Sequence, residues 1–202
     1  MIEKNLIVRG KVLRFGANYF SPQAAMAKSH PHLHYPGFRI QHAVPTTMRD
    51  DPGRSLFQWL AYIPGVVNQV PLGAQDILSG MFSGCWMAVY QVGGRQYVGH
   101  IGTEDNPNSA HSLAAKQAWR NFSRAQGVNP APFIAFQPHI VALTDPSIPK
   151  LIDGTAQDRY LGLVTTERKC FSVLLLGVGP DTWRVAAVRQ QQPRGGLANL
   201  FP

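Results

Sequence analysis

Cys85 and His100 are the two residues whose types and spacing suit covalent chemistry. The thiolate is the reactive form of cysteine, and a free thiol with a pKa of about 8.5 supplies little of it near neutral pH. An imidazole within reach takes the proton and, once charged, stabilises the sulfur anion. A third group must then orient the ring. Cys85 and His100 flank Gly93-Gly94, which lies between two β-prone runs, Cys85–Val92 and Arg95–Gly102. Gly-Gly in that setting predicts a two-residue hairpin, because both central residues of a type I′ turn take positive φ. If Val92 faces Arg95, then Met87 faces His100 and Cys85 faces Gly102. Side chains repeat on a face every second residue, so Cys85, Met87, His100 and Gly102 share one. Cys85 and His100 become diagonal neighbours with Cβ atoms roughly 5.5–8 Å apart.

The loop before the first strand suits the same chemistry. Cys85 sits where a loop becomes a strand, so backbone N–H groups around Ser83 and Gly84 are candidate oxyanion donors. Gly84 and Gly102 are expected to leave room for a substrate carbonyl at the sulfur. The alternative reading is structural, since cysteine often packs as a small buried hydrophobe.

Phe82-Ser83-Gly84-Cys85, followed by a histidine on the next strand, resembles the active-site hairpin of the bacterial toxin glutamine deamidases. These are the cytotoxic necrotizing factor catalytic domains and the Burkholderia lethal factor-type proteins, with the chemotaxis deamidase CheD a more distant relative. The toxins have Leu-Ser-Gly-Cys, so Phe82 replaces a leucine. The resemblance covers about 25 residues, and the Cys85-to-His100 gap is similar to that of the necrotizing factors. In the lethal factor and CheD branches a threonine six residues before the cysteine completes the site, which makes Ser79 the orienting group here. The resemblance implies a cysteine-dependent glutamine deamidase without metal or organic cofactor. Cys85 would be the nucleophile and His100 the general base and acid, converting a glutamine of a target protein such as a host GTPase or translation factor to glutamate. It also implies a monomeric bacterial effector, exported or injected into a target-cell cytosol. Alternatives are another Cys–His acyl-transfer enzyme, of thiol protease or transglutaminase type, and a non-catalytic basic module that docks on an acidic partner.

Other constellations rank lower. His30, His32 and His34, with His42 nearby, could ligate Zn²⁺, Fe²⁺ or Ni²⁺, but Pro31 interrupts them and a solvated loop is the expected reading. Glu104-Asp105-Asn106 reads as a cap for the next helix and as a rim near the site, with His111 a second rim candidate. Trp86 points away from Cys85 toward core. Asp145 and Asp181 could orient His100 from a distance.

The elements that must position this pair read as an α+β domain. It is mainly an antiparallel, twisted or sandwich-like sheet with flanking helices, as in the deamidase fold of the necrotizing factors and CheD. Expected strands are Leu6–Phe15, Phe38–Val44, Cys85–Val92, Arg95–Gly102, Phe133–Phe136, Ile140–Leu143, Tyr160–Thr165, Phe171–Val178 and Trp183–Arg189, with a hairpin corner at 179–182. Expected helices are Ala110–Arg124, capped by Asn108 or Ser109, together with Arg54–Tyr62 and Ala74–Met81. In the first of these, Leu113, Ala114, Ala118 and Phe122 mark the buried side. The whole chain, 1–202, is read as one domain, with 22–36 and 190–202 irregular or mobile.

Lys and Arg number 19 against 11 Asp and Glu, a formal charge of +8, yet charged residues are only 15% of the chain. The positive sign comes from scarce acids, and the bases are scattered rather than gathered into an arm. Nucleic acid is therefore a poor fit. No run approaches the ~20 apolar residues that span a bilayer, and the first residues do not read as a Sec-type signal. Two cysteines in unlike settings make neither a disulfide framework nor a metal-binding spacing.

Overall fold

Short runs rich in β-branched, aromatic and other apolar residues fold most of the described residues into strands. The computed structural model describes residues 7–14, 27–28, 38–41, 45–48, 51–125, 133–148, 157–196 and 200–201. In chain order the elements are β1 (Val12–Arg14), β2 (Ala27–Lys28), β3 (Phe38–Gln41), β4 (Pro45–Met48), β5 (Asp51–Ala61), β6 (Val67–Pro71), β7 (Asp76–Gly80), β8 (Trp86–Val92) and β9 (Arg95–Ile101). Helix α1 (Ala110–Ser123) and β10 (Ile134–Phe136) follow, then a 3₁₀ turn (Pro138–Ile140) running into α2 (Val141–Thr144). β11 (Asp158–Val164), β12 (Cys170–Gly179), β13 (Thr182–Gln191) and β14 (Arg194–Gly195) complete the order.

Among the described residues the strands form two seven-stranded sheets. One runs β1-β13-β12-β11-β7-β5-β4 and the other β14-β10-β8-β9-β6-β3-β2. Neighbours are antiparallel except β5 with β7 and β3 with β6. The α+β, sheet-rich class expected from the sequence is thus what the chain adopts.

Alternation sorts the side chains into layers. Leu60, Ile77, Val164 and Leu174 of the first sheet share one buried cluster with Met87, Val89 and Val98 of the second, along with Cys85 and Phe82. The opposite face of the first sheet carries Trp59, Leu78, Leu161, Leu163, Val173, Leu175 and Val185. The opposite face of the second sheet packs Ala88, Tyr90 and Ile101 against Ala115, Ala118, Trp119 and Phe122 of α1. The shared cluster is therefore a core between two sheets, and each strand that contributes to it also buries its other face.

Burial on both faces explains two corrections. Arg54–Tyr62 and Ala74–Met81, read as helices, are the strands β5 and β7. All five residues of β7 are buried, and so are Phe57, Trp59, Leu60 and Ala61 of β5. Strands covered on both sides lose the polar alternation that marks a half-exposed strand, and a short apolar run then mimics a helix. Ile140–Leu143, read as a strand, is helical, because Pro138 opens a 3₁₀ turn there. β6 escaped notice because it contains Asn68 and Gln69, both buried and both hydrogen-bonded.

Helix α1 begins where expected, with Ser109 as its N-cap accepting from the Ser112 amide. Its buried side is turned from the expected one: Ser112, Ala115, Ala118, Trp119 and Phe122 face inward, while Leu113 is 52% exposed. Ser112 is drawn in by hydrogen bonds to the Asn106 carbonyl and the Glu104 amide.

Part of the stretch 190–202 lies within the described residues. β13 runs through Gln191, β14 pairs with β10, Leu200 is buried, and the Phe201 ring meets Trp86 edge-on at 6.4 Å. Of 22–36, only β2 lies within the described residues, and His30, His32, His34 and His42 lie outside them. Among the described residues no helix is long and apolar enough to cross a membrane.

Candidate active site

The hairpin that carries the pair forms in the expected register. Gly93 and Gly94 take φ of 55° and 77°, and β8 pairs with β9 from Val92↔Arg95 through Met87↔His100 to Trp86↔Ile101. His100 shares a parity with Val98, so it points between the two sheets, where it is fully buried. Ser79 shares a parity with Ile77 on β7 of the opposite sheet and points into the same space. The two meet across the sandwich, Ser79 Oγ to His100 Nδ1 at 2.8 Å.

Ser79 also fixes the state of the ring. Its hydroxyl lies 2.6 Å from the Leu60 carbonyl oxygen, which can only accept, so the single hydroxyl proton is donated there. Ser79 Oγ must then accept from His100, which places the ring proton on Nδ1 and leaves Nε2 as a bare lone pair. Nε2 is buried and has no hydrogen-bond partner among the described residues. Burial holds the imidazole pKa down at about 3, so the ring is neutral at physiological pH. Phe82 lies flat against it, with centroids 4.2 Å apart and planes 8° from parallel, and Tyr62 closes another side at 5.2 Å. The Phe82 that replaces a leucine of the resembling motif thus becomes a wall of the imidazole slot.

Cys85 immediately precedes β8 in the same buried cluster. Its thiol donates to the Thr103 carbonyl oxygen rather than to His100. Burial pushes the thiol up to about 12, against opposing pulls from the Thr103 side chain and the Gly84 backbone. The resting pair is therefore a neutral thiol and a neutral imidazole. Proton transfer requires the thiol to turn from Thr103 toward Nε2. Cys170, the other cysteine, is equally buried, free and likewise pushed up to about 12.

Gly84 and Gly102 do not leave room for substrate, which corrects the sequence reading. A Cβ on Gly102 would fall 2.0 Å from the Ile63 carbonyl oxygen, and one on Gly84 would fall 3.0 Å from that of Glu104. Both glycines admit neighbouring backbone. Gly102 is clasped by the loop after β5, donating to Val66 O and accepting from Gly65 N.

Two clefts lie beside the 83–85 loop, and neither Cys85 nor His100 is among their lining residues. A cleft of about 500 Å³ is lined by Ser83, Gly84, Trp86, Thr103, Glu104 and Gln137, among others. A second, of about 370 Å³, lies across Ser83 and includes Phe82, Asp158 and Arg159. Glu104 and Asp105 form the expected rim. His111 pairs with Glu104 at 2.8 Å, joining the rim without lining the cleft. Trp86 is partly buried and lines the cleft, with the Arg194 guanidinium over its ring at 5.8 Å. Asp145 binds Arg189 and Ser147, and Asp181 sits in the β12–β13 corner, so neither orients His100.

Sequence reasoning missed three residues at this site. Thr103 was legible, because extending the hairpin register past Gly102 places it opposite Gly84. Tyr62, whose hydroxyl donates to the Thr103 carbonyl oxygen at 3.4 Å, was hidden by the helix assignment of its segment. Gln137, whose side chain donates to the Gly84 carbonyl oxygen at 3.0 Å, depends on the pairing of β10 with β8, which no local motif announces. Among the described residues no group of three or more His, Cys, Asp or Glu could hold a metal ion. No family model, curated protein or solved structure matches the chain.

Proposed function

We propose that this protein is a cysteine-dependent amidohydrolase that converts a glutamine side chain of a partner protein to glutamate, with Cys85 as nucleophile, His100 as base and acid, and Ser79 as the orienting group. The observation that carries the reading is the bare, buried Nε2 of His100, held in that tautomer by Ser79 on the face it shares with Cys85. A neutral imidazole with an unoccupied nitrogen has the free lone pair that a general base needs.

In the proposed reaction the thiol turns to Nε2 and gives up its proton as sulfur attacks the carboxamide carbon. The carbonyl π electrons move to oxygen. As the tetrahedral species collapses, His100 returns the proton to nitrogen, the C–N bond breaks and ammonia leaves. Water, deprotonated by His100 Nε2, then splits the thioester, and the proton returns to the departing sulfur to restore the thiol. The hairpin motif and its two-sheet setting support a fold of the necrotizing factor and CheD type, and a role as an exported bacterial effector.

The test is incubation with a eukaryotic cytosolic extract in heavy-oxygen water, read by peptide mass spectrometry. The expected result is heavy oxygen in glutamate at one or a few former glutamines, absent with Cys85→Ala and His100→Ala. Backbone cleavage would indicate a thiol protease instead, and incorporation of an added primary amine a transglutaminase. No change beyond the Cys85→Ala background overturns the proposal.

A further inference from the structure

We infer that Tyr62 is a positioning residue for Cys85, its hydroxyl holding the Thr103 carbonyl oxygen so that the thiol can leave that oxygen for His100. The inference rests on the proposed Cys85 chemistry.

Tyr62 stands where β5 leaves the first sheet, and Thr103 stands just past the end of β9 in the second. Backbone bonds fix these two chain segments against each other. Gly65 N donates to Gly102 O, and Gly102 N donates to Val66 O, each at 2.9 Å. Asn68, the partner of His100 in the β6–β9 ladder, donates from its side chain to the Ala61 carbonyl oxygen at 2.8 Å. Thr103 Oγ1 donates to the Gly84 carbonyl oxygen at 3.1 Å, beside the nucleophile. Tyr62, Thr103, Cys85 and His100 are therefore held in one frame, with the Tyr62 ring 5.2 Å from the imidazole.

Two donors share one acceptor in this frame. The Cys85 thiol and the Tyr62 hydroxyl, the latter at 3.4 Å, both donate to the Thr103 carbonyl oxygen. A carbonyl oxygen has two lone pairs and can serve both. Thr103 is buried, and a buried acceptor that loses its donor costs free energy. The thiol must break its bond to this oxygen before its proton can reach Nε2. With the hydroxyl in place, the oxygen keeps a donor as the sulfur turns away. Without the hydroxyl, the same turn strips the oxygen, and the thiol is held where it rests. The hydroxyl also stays a donor throughout, because burial and then the neighbouring Cys85 hold its pKa well above the ordinary tyrosine value.

Tyr62→Phe removes the hydroxyl and keeps the ring beside His100. Iodoacetamide labelling of Cys85 is expected to slow about tenfold, while Cys170 keeps its wild-type rate. In a Cys170→Ser background the infrared S–H stretch reports Cys85 alone. That band should move to lower frequency in Tyr62→Phe, because the thiol no longer shares its acceptor with the hydroxyl. In His100→Ala the thiol has no base to turn to, so adding Tyr62→Phe should slow Cys85 no further. An unchanged Cys85 rate or S–H band in Tyr62→Phe, a matching change at Cys170, or the same tenfold loss on top of His100→Ala each overturns the inference and leaves the Cys85 chemistry standing. A wild-type Cys85 that labels no faster than Cys170 overturns both.

Discussion

Replacing Ser79 by alanine removes the atom that selects the His100 tautomer. Two hydrogen bonds go at once, to Leu60 O and to His100 Nδ1. The alanine methyl fits the space, so the cost lies in polar groups: the Nδ1–H is left buried without an acceptor at about 1–3 kcal/mol, and the second bond adds about 1 kcal/mol. Urea unfolding should therefore show a loss of about 2–4 kcal/mol. The same 1–3 kcal/mol is the bias that keeps the proton off Nε2, and it corresponds to roughly 5- to 150-fold in the ratio of the two tautomers. Cys85 reactivity in Ser79→Ala should fall by about twofold or somewhat more, as the reactive tautomer drops from nearly all of the population to about half, and Ser79→Thr, which keeps the hydroxyl, should recover most of it. Nitrogen chemical shifts of the imidazole read the tautomer directly: a proton fixed on Nδ1 in the wild type, and an averaged ring in Ser79→Ala. An alanine variant with the wild-type tautomer and unchanged Cys85 reactivity would refute the orienting role.

Two further expectations follow from burial and from backbone crowding. Burial holds His100 near 3, while the unfolded chain titrates at 6.5. Between those values the unfolded state binds the extra proton, so stability falls as pH drops through that window, by about 1.4 kcal/mol per unit and about 5 kcal/mol in all. His100→Gln should flatten this acid limb in urea titrations between pH 4 and pH 7, and an unchanged limb would assign it to other groups. Gly102→Ala drives a methyl to 2.0 Å from the Ile63 carbonyl oxygen. The loop must move, and about 2–4 kcal/mol of stability should go with it, seen as a lower unfolding midpoint. A midpoint within error of wild type would show that the loop after β5 gives way freely.

The hairpin was legible because its signal is local. Gly93-Gly94 sets the turn, the turn sets the register, and the register sets which residues share a face, so Cys85 and His100 could be placed relative to each other with no tertiary information. Ser79 was named only through a resemblance. Its partner lies 21 residues away in the other sheet, and nothing local shows that β7 faces β9. The helix assignments failed at β5 and β7 for a related reason: these strands are buried on both faces, and two-sided burial erases the alternation that a single sequence can display. Gly84 and Gly102 were read as space for substrate because a glycine reveals the lack of a side chain but not what fills the gap. Here neighbouring backbone fills it.

The central claim is that Cys85 owes its chemistry to His100, and the second cysteine supplies the control. Cys85 and Cys170 are equally buried, each 1% exposed, and both are pushed up to about 12. Exposure and intrinsic acidity therefore cannot favour either one. The decisive measurement is the rate of iodoacetamide labelling at each cysteine in the native protein and in His100→Ala, read by mass spectrometry from pH 5 to pH 9. Cys85 should react faster than Cys170 by about a hundredfold, and His100→Ala should erase the difference. Equal rates in the wild type, or a Cys85 rate indifferent to His100, would contradict the account.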